Sequence, residues 1–301
     1  MLDLSHIPNS QQDIQIFYTN GATNAWQTWN KPRKCNYVYI ICIGGAGGGA
    51  GGQTTTGGVS AATGGASGAV TRALYNAQQL PDSLYIQVGV GGAGGNPSVN
   101  GSAGQRSWVT LQPTVIPQFI VQGTGAGAGA GAGSTVGSSA TGEAAISQAT
   151  GIFLTLSNFT GTAGVGNGAQ GSVQPTNITP FSSQIVTQGG QGGGANAGFA
   201  LIGSGSSILS SSISPLIQGG AIATAPGVSG GNGADGITSY KPFFSTGGAG
   251  GGAAVSGSGG NGGNGGIGSG GGAGAAGNSA LGYTGGRGGR GGDGLVVIIS
   301  F

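Results

Sequence analysis

The sequence predicts a mainly β protein, in which a sandwich-like frame of short strands, closed by the C-terminal strand, carries a bundle of polyglycine II helices. Three observations lead to this prediction. Glycine accounts for 75 of the 301 residues, whereas average proteins contain about 7%. Charged residues amount to only 5%, which is unlike the charged composition of disordered chains. The larger apolar residues occur in a few short β-branched or aromatic runs bounded by Gly, Pro or Asn.

The apolar runs define the predicted frame. Trp26 and Trp29 precede Pro32, and we expect their segment to pack over an edge of the sheet. Residues 69–79 have the pattern of either a strand or a single helical turn. We expect strands at 14–18, 37–43, 84–88 and 119–121.

The C-terminal run 295–301 is strongly apolar and needs a partner strand. Its natural partner is the equally apolar 38–43, so the two ends of the chain should meet in one sheet. The predicted organisation has three parts, which are a β-rich base or attachment region (1–122), a polyglycine II region (123–293), and a C-terminal strand (294–301) that pairs back onto the base.

The glycine tracts are periodic. Residues 259–267 and 285–293 repeat Gly-Gly-X with a period of three, which matches the three residues per turn of polyproline II geometry. Two of the three faces of such a helix carry no side chain, so neighbouring backbones can approach and bond to each other. Collagen is excluded because it requires a proline-rich Gly-X-Y frame. Residues 125–133 alternate Gly and Ala with a period of two, which predicts a strand at the rim of the scaffold.

Several of these segments resemble a known family. The segments 29–32, 37–49, 80–89 and 291–298, in this order, resemble the glycine-rich domain of many phage tail and virion surface proteins. The glycine tracts separately resemble the distal region of T-even-type tail-fibre tip adhesins, in which parallel polyglycine II helices form a sandwich whose loops contact host receptors. The resemblance implies a location on the virion surface, partners among fibre, spike or capsid proteins, and a host receptor or glycan as ligand.

The residue inventory argues against catalysis and against several ligand classes. His6 is the only histidine and the six acidic residues are scattered, so we expect neither an enzyme nor a cofactor. A net charge of +2 with eight basic residues gives no basis for nucleic-acid binding. No run approaches the ~20 apolar residues of a membrane span, and 1–12 lacks a signal-peptide pattern. We expect synthesis in the host cytoplasm, and assembly into an oligomer or particle because the low charge predicts poor solubility.

The cysteine and acidic residues give little support for a disulfide or a metal site. Cys35 and Cys42 flank and enter one predicted strand, so a mutual disulfide would need a sharp fold-back, and we expect free thiols. The segments 230–237 and 288–295 each match the GGxGxDxU repeat of calcium-binding β-rolls. These copies are single and far apart, so Asp235 and Asp293 are weak metal candidates, and Asp293 could instead close a turn.

The remaining candidates are basic and aromatic. Arg287 and Arg290 should share one face of a period-three helix, where they could bind lipopolysaccharide phosphates or keep the tract soluble. An assembly surface is predicted at Trp26, Trp29, Lys31, Arg33 and Lys34. The three basic residues of this set could bind anionic sugars or a partner, or they could protect a strand edge from unwanted pairing. Aromatic residues between tracts could contact a receptor or fill the ends of the scaffold. Together with the two arginines they form the candidate receptor set. Its members are Phe153, Phe159, Phe181, Phe199, Tyr240, Phe243, Phe244, Tyr283, Arg287 and Arg290.

The sequence therefore favours a structural virion surface protein, a tail-fibre or spike tip adhesin for host attachment. Two alternatives remain open. One is a capsid decoration or cement protein without a receptor, and the other is an ice-binding protein, which would use regular flat faces of small residues.

Overall fold

The computed structural model describes residues 13–20, 25–55, 62–113, 119–123, 153–159, 185–195 and 202–301. The protein is mainly β, and two short 3₁₀ turns lie at Ala77–Gln79 and Ser279–Leu281. The strands, in chain order, are β1 Asp13–Phe17, β2 Trp26–Asn30, β3 Tyr37–Ile43, β4 Thr54–Thr55, β5 Val70–Asn76, β6 Ser83–Gln87, β7 Ser107–Thr110, β8 Phe119–Gly123, β9 Phe153–Phe159, β10 Thr238–Tyr240, β11 Phe243–Ser245, β12 Gly277–Asn278 and β13 Leu295–Ser300.

A five-stranded antiparallel sheet joins the two ends of the described chain, in the order β1-β13-β3-β5-β9. Strand β13 lies antiparallel to β3, with Leu295 opposite Ile43 and Ser300 opposite Val38. This is the pairing that the two apolar runs predict. Both faces of β13 are buried, because Val296 and Ile298 enter one apolar cluster while Leu295, Val297 and Ile299 enter another.

A second, four-stranded sheet has the order β2-β6-β7-β8. The prediction that the tryptophan segment packs over a sheet edge is wrong, because this segment is β2, an edge strand paired with β6. Its Trp29 is completely buried in the first apolar cluster, which also contains Ile40 of β3, Ile86 of β6 and Val121 of β8. Burial of a large indole supplies more stabilisation than an edge position would. This cluster, formed by residues of both sheets, is the main core.

The glycine tracts follow a hydrogen-bonding rule with a period of three. In the tract 44–52, each successive N–H group donates to a different neighbouring segment, and every third one returns to the same segment. The three acceptor segments are 63–69, 99–105 and 286–292, at N···O distances of 2.8–3.1 Å. The backbone of this tract therefore turns through one full rotation in three residues.

The tract 269–277 obeys the same rule and lies inside the network. Its nine N–H groups donate, in turn, to 260–266, 187–193 and 47–53 at 2.8–3.0 Å. Its carbonyl groups accept from the N–H groups of three further segments, 286–292, 248–251 and Gly65, so that six tract segments surround it. All nine N–H groups of this buried backbone and at least six of its nine carbonyl groups are hydrogen-bonded, in line with the demand that buried peptide groups find partners.

Tracts from both predicted regions share this network. Segment 44–52 lies before residue 122 and bonds to 286–292, which lies far beyond it. The hydrogen-bonded network therefore crosses the boundary that composition suggests at residue 122. The Gly-Ala alternation at 125–133 lies outside the described residues. Both cysteines, Cys35 and Cys42, are free thiols.

Candidate functional site

Three tracts run parallel at one surface of the network, and we call this surface the outer face. The tracts are 230–238, 258–267 and 284–293. Because each turns once in three residues, every third side chain points outward in a row along its tract. The exposed positions in these rows include Asn232 and Asp235, then Asn261 and Asn264, then Arg287 and Arg290.

Side chains of the outer face also bond to the main chain of the next tract. Asn232 Oδ1 accepts from the Asn261 N–H at 2.9 Å, and Asn261 Oδ1 accepts from the Arg287 N–H at 2.8 Å. A second row repeats the pattern from Asp235 to Asn264 at 2.6 Å and from Asn264 to Arg290 at 2.9 Å. Side-chain oxygens thus satisfy N–H groups that would otherwise need water. This ladder fixes the register of the three tracts.

A cleft of about 660 Å³ opens where the outer face meets the β frame. The end of β1, the β10–β11 hairpin and the last turns of the tracts 258–267 and 284–293 enclose it. Tyr18 and Tyr240 form one wall, with 47% and 44% of each residue exposed and the two hydroxyl groups 3.3 Å apart. The floor of the cleft consists of the main chain of Gly265, Gly266, Gly291 and Gly292.

The charged groups of the cleft neutralise each other. The Arg290 guanidinium donates to Asp293 Oδ1 in an ion pair between residues three apart on one tract. The same oxygen accepts the Gly91 N–H at 2.7 Å, which ties the carboxylate to another tract. Partial burial and the hydrogen bond with Tyr18 raise the pKa of Tyr240 to about 12, so its hydroxyl stays protonated into the alkaline range.

The structure brings together part of the predicted receptor set and separates the rest. Tyr240 and Arg290 line the cleft. Arg287 lies one turn away on the outer face, and Tyr283 is half-buried at the start of that tract. By contrast, Phe243 and Phe244 of β11 are only 8% and 4% exposed, and their burial assigns them to the core. Phe153 and Phe159 begin and end β9, while Phe181 and Phe199 lie outside the described residues.

The predicted assembly cluster is divided between core and surface. Trp29 has no exposed surface and cannot contact another protein from this position, whereas Trp26 is half-buried. Lys31 stabilises its own chain, because its ammonium group donates to the carbonyl groups of Leu80 at 2.8 Å and Ala77 at 3.3 Å and pairs with Asp82. The exposed members that remain are Arg33 and Lys34.

Asp235 and Asp293, the two metal candidates, both accept main-chain N–H groups. Within the part of the chain that the structure describes, no group of three His, Cys, Asp or Glu side chains could hold a metal ion. The same described residues contain no helix with the length and hydropathy of a membrane span.

The site residues predicted from the sequence do not include Tyr18 and Asn264, which line the cleft. Tyr18 follows β1 directly and was assigned only to a strand, although its aromatic side chain is exposed. Asn264 occupies the X position of a Gly-Gly-X repeat, and a polar X between glycines was the available signal for an outward-facing side chain. No protein-family model matches the chain, and a search of curated proteins also found no match.

Proposed function

We propose that the glycine tracts are polyglycine II helices and that the two sheets close into a sandwich at their base. The support for the helices is the rotation of successive N–H groups through three neighbours in 44–52 and 269–277, which is the period of this geometry. The support for the sandwich is one apolar cluster with members from both sheets. Amide hydrogen exchange tests the helices, since tract amides should exchange far more slowly than those of a free glycine-rich peptide.

We further propose that the protein is a structural virion surface protein, a tail-fibre or spike tip adhesin that attaches the particle to its host. The observation that carries this proposal is an exposed cleft with two tyrosines, built on a hydrogen-bonded main-chain network that we expect to be rigid. A rigid scaffold suits attachment because little conformational entropy is lost on binding. The resemblance of the sequence to virion surface proteins supports the location.

A binding role fits the chemistry of the cleft better than a catalytic one. Its ionisable lining groups are Tyr18, Tyr240, Arg290 and Asp293, and the last two are already paired. General acid–base or nucleophilic catalysis needs a group with a pKa near neutrality or an activated nucleophile beside a base. We therefore propose no enzymatic activity and no cofactor for this site.

The attachment proposal is tested with the purified full chain. Fluorescently labelled protein should bind to cells of the bacterial host and should reduce infection by the particle that carries it. Immunogold labelling should place the protein on the outside of that particle, at a fibre or spike. Labelled protein that neither binds cells nor competes with infection would contradict attachment.

A capsid decoration or cement protein remains the second candidate, and one observation favours it. Strand β1 is the edge of the five-stranded sheet, and its Ile14 and Ile16 are each 41% exposed. An exposed apolar edge suits a contact with a neighbouring capsid protein. Particles without a cement protein should be fragile yet attach normally. The ice-binding hypothesis requires a flat face of small residues, and the outer face carries Asn, Asp and Arg instead.

A further inference from the structure

We propose that the cleft binds a neutral saccharide, with Tyr18 and Tyr240 as the wall for the sugar ring and with Arg290, Asp293 and Asn264 as partners for its hydroxyl groups. This inference rests on the proposed attachment function, because it names the class of surface ligand that the site recognises. Four features of the cleft support it.

The first feature is the pair of tyrosines. Both residues are nearly half exposed at the wall of the cleft, and their hydroxyl groups lie 3.3 Å apart. Tyrosine presents a large, stiff, amphipathic surface and loses little entropy on binding. The apolar C–H faces of a sugar ring can pack against such rings, while the phenol oxygens meet its hydroxyl groups.

The second feature is the neutral charge of the lining. Arg290 is the only cationic lining residue in the described chain, and Asp293 neutralises it. A phosphate would have to displace this carboxylate, which the Gly91 N–H also holds. A neutral diol needs no displacement, since one hydroxyl can accept from the guanidinium while the next donates to the carboxylate. The cleft therefore favours sugar hydroxyl groups over the lipopolysaccharide phosphates that the arginines alone would suggest.

The third feature is an amide with unused donors. Asn264 Oδ1 accepts the Arg290 N–H at 2.9 Å, which fixes the side chain in the ladder. Its Nδ2 group has no hydrogen-bond partner among the described residues, and Asn264 is one of the residues that line the cleft. An oriented amide can donate two hydrogen bonds to ligand oxygens without first being ordered.

The fourth feature is the size and floor of the cleft. Its volume of about 660 Å³ lies within the range of roughly 300–1,000 Å³ that small-molecule sites have. The main chain of Gly265 and Gly291 lines the floor, so a ring that enters the cleft meets backbone atoms there. A short oligosaccharide, or the end of a longer one, fits this space.

The test measures glycan binding by the full chain and by three variants. Wild-type protein is applied to an array of neutral hexose and N-acetylhexosamine oligosaccharides beside phosphorylated and sialylated ones, and the ligands that it binds are titrated by calorimetry. Tyr18→Ala and Tyr240→Ala should each weaken binding by about tenfold or more. Tyr37→Ala is the matched control, because Tyr37 is also 47% exposed but bonds to Phe301, at the opposite end of β13. It should change affinity less than about twofold.

The outcomes separate the ligand from the function. No binding to the array, a preference for phosphorylated glycans, or full affinity in both cleft variants would overturn the saccharide site. If periodate oxidation of host glycans and both cleft variants leave cell attachment unchanged, attachment stands and the ligand is a protein bound elsewhere. If the protein binds neutral glycans through the two tyrosines but does not bind host cells, the cleft stands and the attachment proposal is wrong.

Discussion

Replacing Gly272 by alanine would place a methyl group where a neighbouring tract already lies. A Cβ atom at this position would be 2.0 Å from the carbonyl oxygen of Ala249 and 2.6 Å from its carbon. Ordinary contact between such atoms needs about 3.5 Å. Because the obstacle is main chain inside a packed network, no side chain can rotate away. The two tracts would have to separate by about 1.5 Å.

This separation would break hydrogen bonds that join the tract of Ala249 to its neighbours. Bonds of 2.9–3.0 Å would lengthen well beyond the limit of about 3.2 Å for a normal N–H···O bond. The three bonds at risk are Gly248 N–H to Gly270, Gly251 N–H to Ala273, and Gly263 N–H to Ala249. A buried group left without its partner costs about 1–3 kcal/mol, so we expect Gly272→Ala to lower the free energy of unfolding by at least about 3 kcal/mol.

The matched control is Gly227→Ala, in which the same methyl group would meet nothing within 4 Å. Gly227 has a φ of +74°, so alanine there costs about 1–2 kcal/mol of backbone strain without any clash. Urea unfolding followed by circular dichroism gives both values, and hydrogen exchange shows whether the loss spreads to 248–251. Equal destabilisation of the two variants would refute the close-packed arrangement of the tracts.

Three further predictions concern the ladder, the core and the tyrosines. Asn261→Ala removes the acceptor of the Arg287 N–H, so it should lower the free energy of unfolding by about 0.5–1.5 kcal/mol. The Arg287 amide should also exchange its hydrogen faster, and unchanged exchange would argue against the ladder. Trp29→Ala should cost about 3–5 kcal/mol, measured by urea unfolding, and a loss below about 1 kcal/mol would place Trp29 outside the core. Burial raises the pKa of Tyr39 and of Tyr75 above the usual 10.0. The folded state therefore keeps protons that the unfolded state loses, and the free energy of unfolding should fall as the pH rises above about 10. Urea titrations at several alkaline pH values check this, and a flat profile would contradict it.

The pairing of β13 with β3 could be predicted from the sequence because both strands are long, continuous apolar runs. Each run needs an equally apolar partner if it is to be buried. The position of β2 could not be predicted, because a segment with Trp26 and Trp29 could either pack over a sheet edge or form an edge strand. Only packing against the facing sheet distinguishes the two arrangements. Composition also assigned the tract 44–52 to the base. Hydrogen bonds to 286–292 join it to the later tracts, and no local pattern records such distant partners.

The cleft was predictable only in part, for a related reason. Arg290 and Tyr240 were candidates because of their residue types, but Tyr18 and Tyr240 are 222 positions apart in the chain. Their proximity depends on the end of β1 lying beside β13, and on the hairpin β10–β11 lying beside the last tract turns. Asp293 was assigned to a metal or a turn, because the sequence does not show that its carboxylate would pair with Arg290 and with the Gly91 N–H.

The third position of the repeat separates scaffold from surface in this protein. Where a tract is surrounded, the residues between glycines are small, as at the buried Ala50 and Ala273, because a larger side chain would push neighbouring backbones apart. Where a tract borders the outer face, the same position carries residues such as Asn, Asp and Arg, and the Asn232 and Asn261 side chains bond to the main chain of the adjacent outer tract. Substitution at an outer position whose side chain bonds only to the next outer tract therefore leaves the hydrogen bonds between the inner tracts in place. Under the proposed attachment function, this arrangement would let the ligand site vary while the main-chain network that supports it is retained.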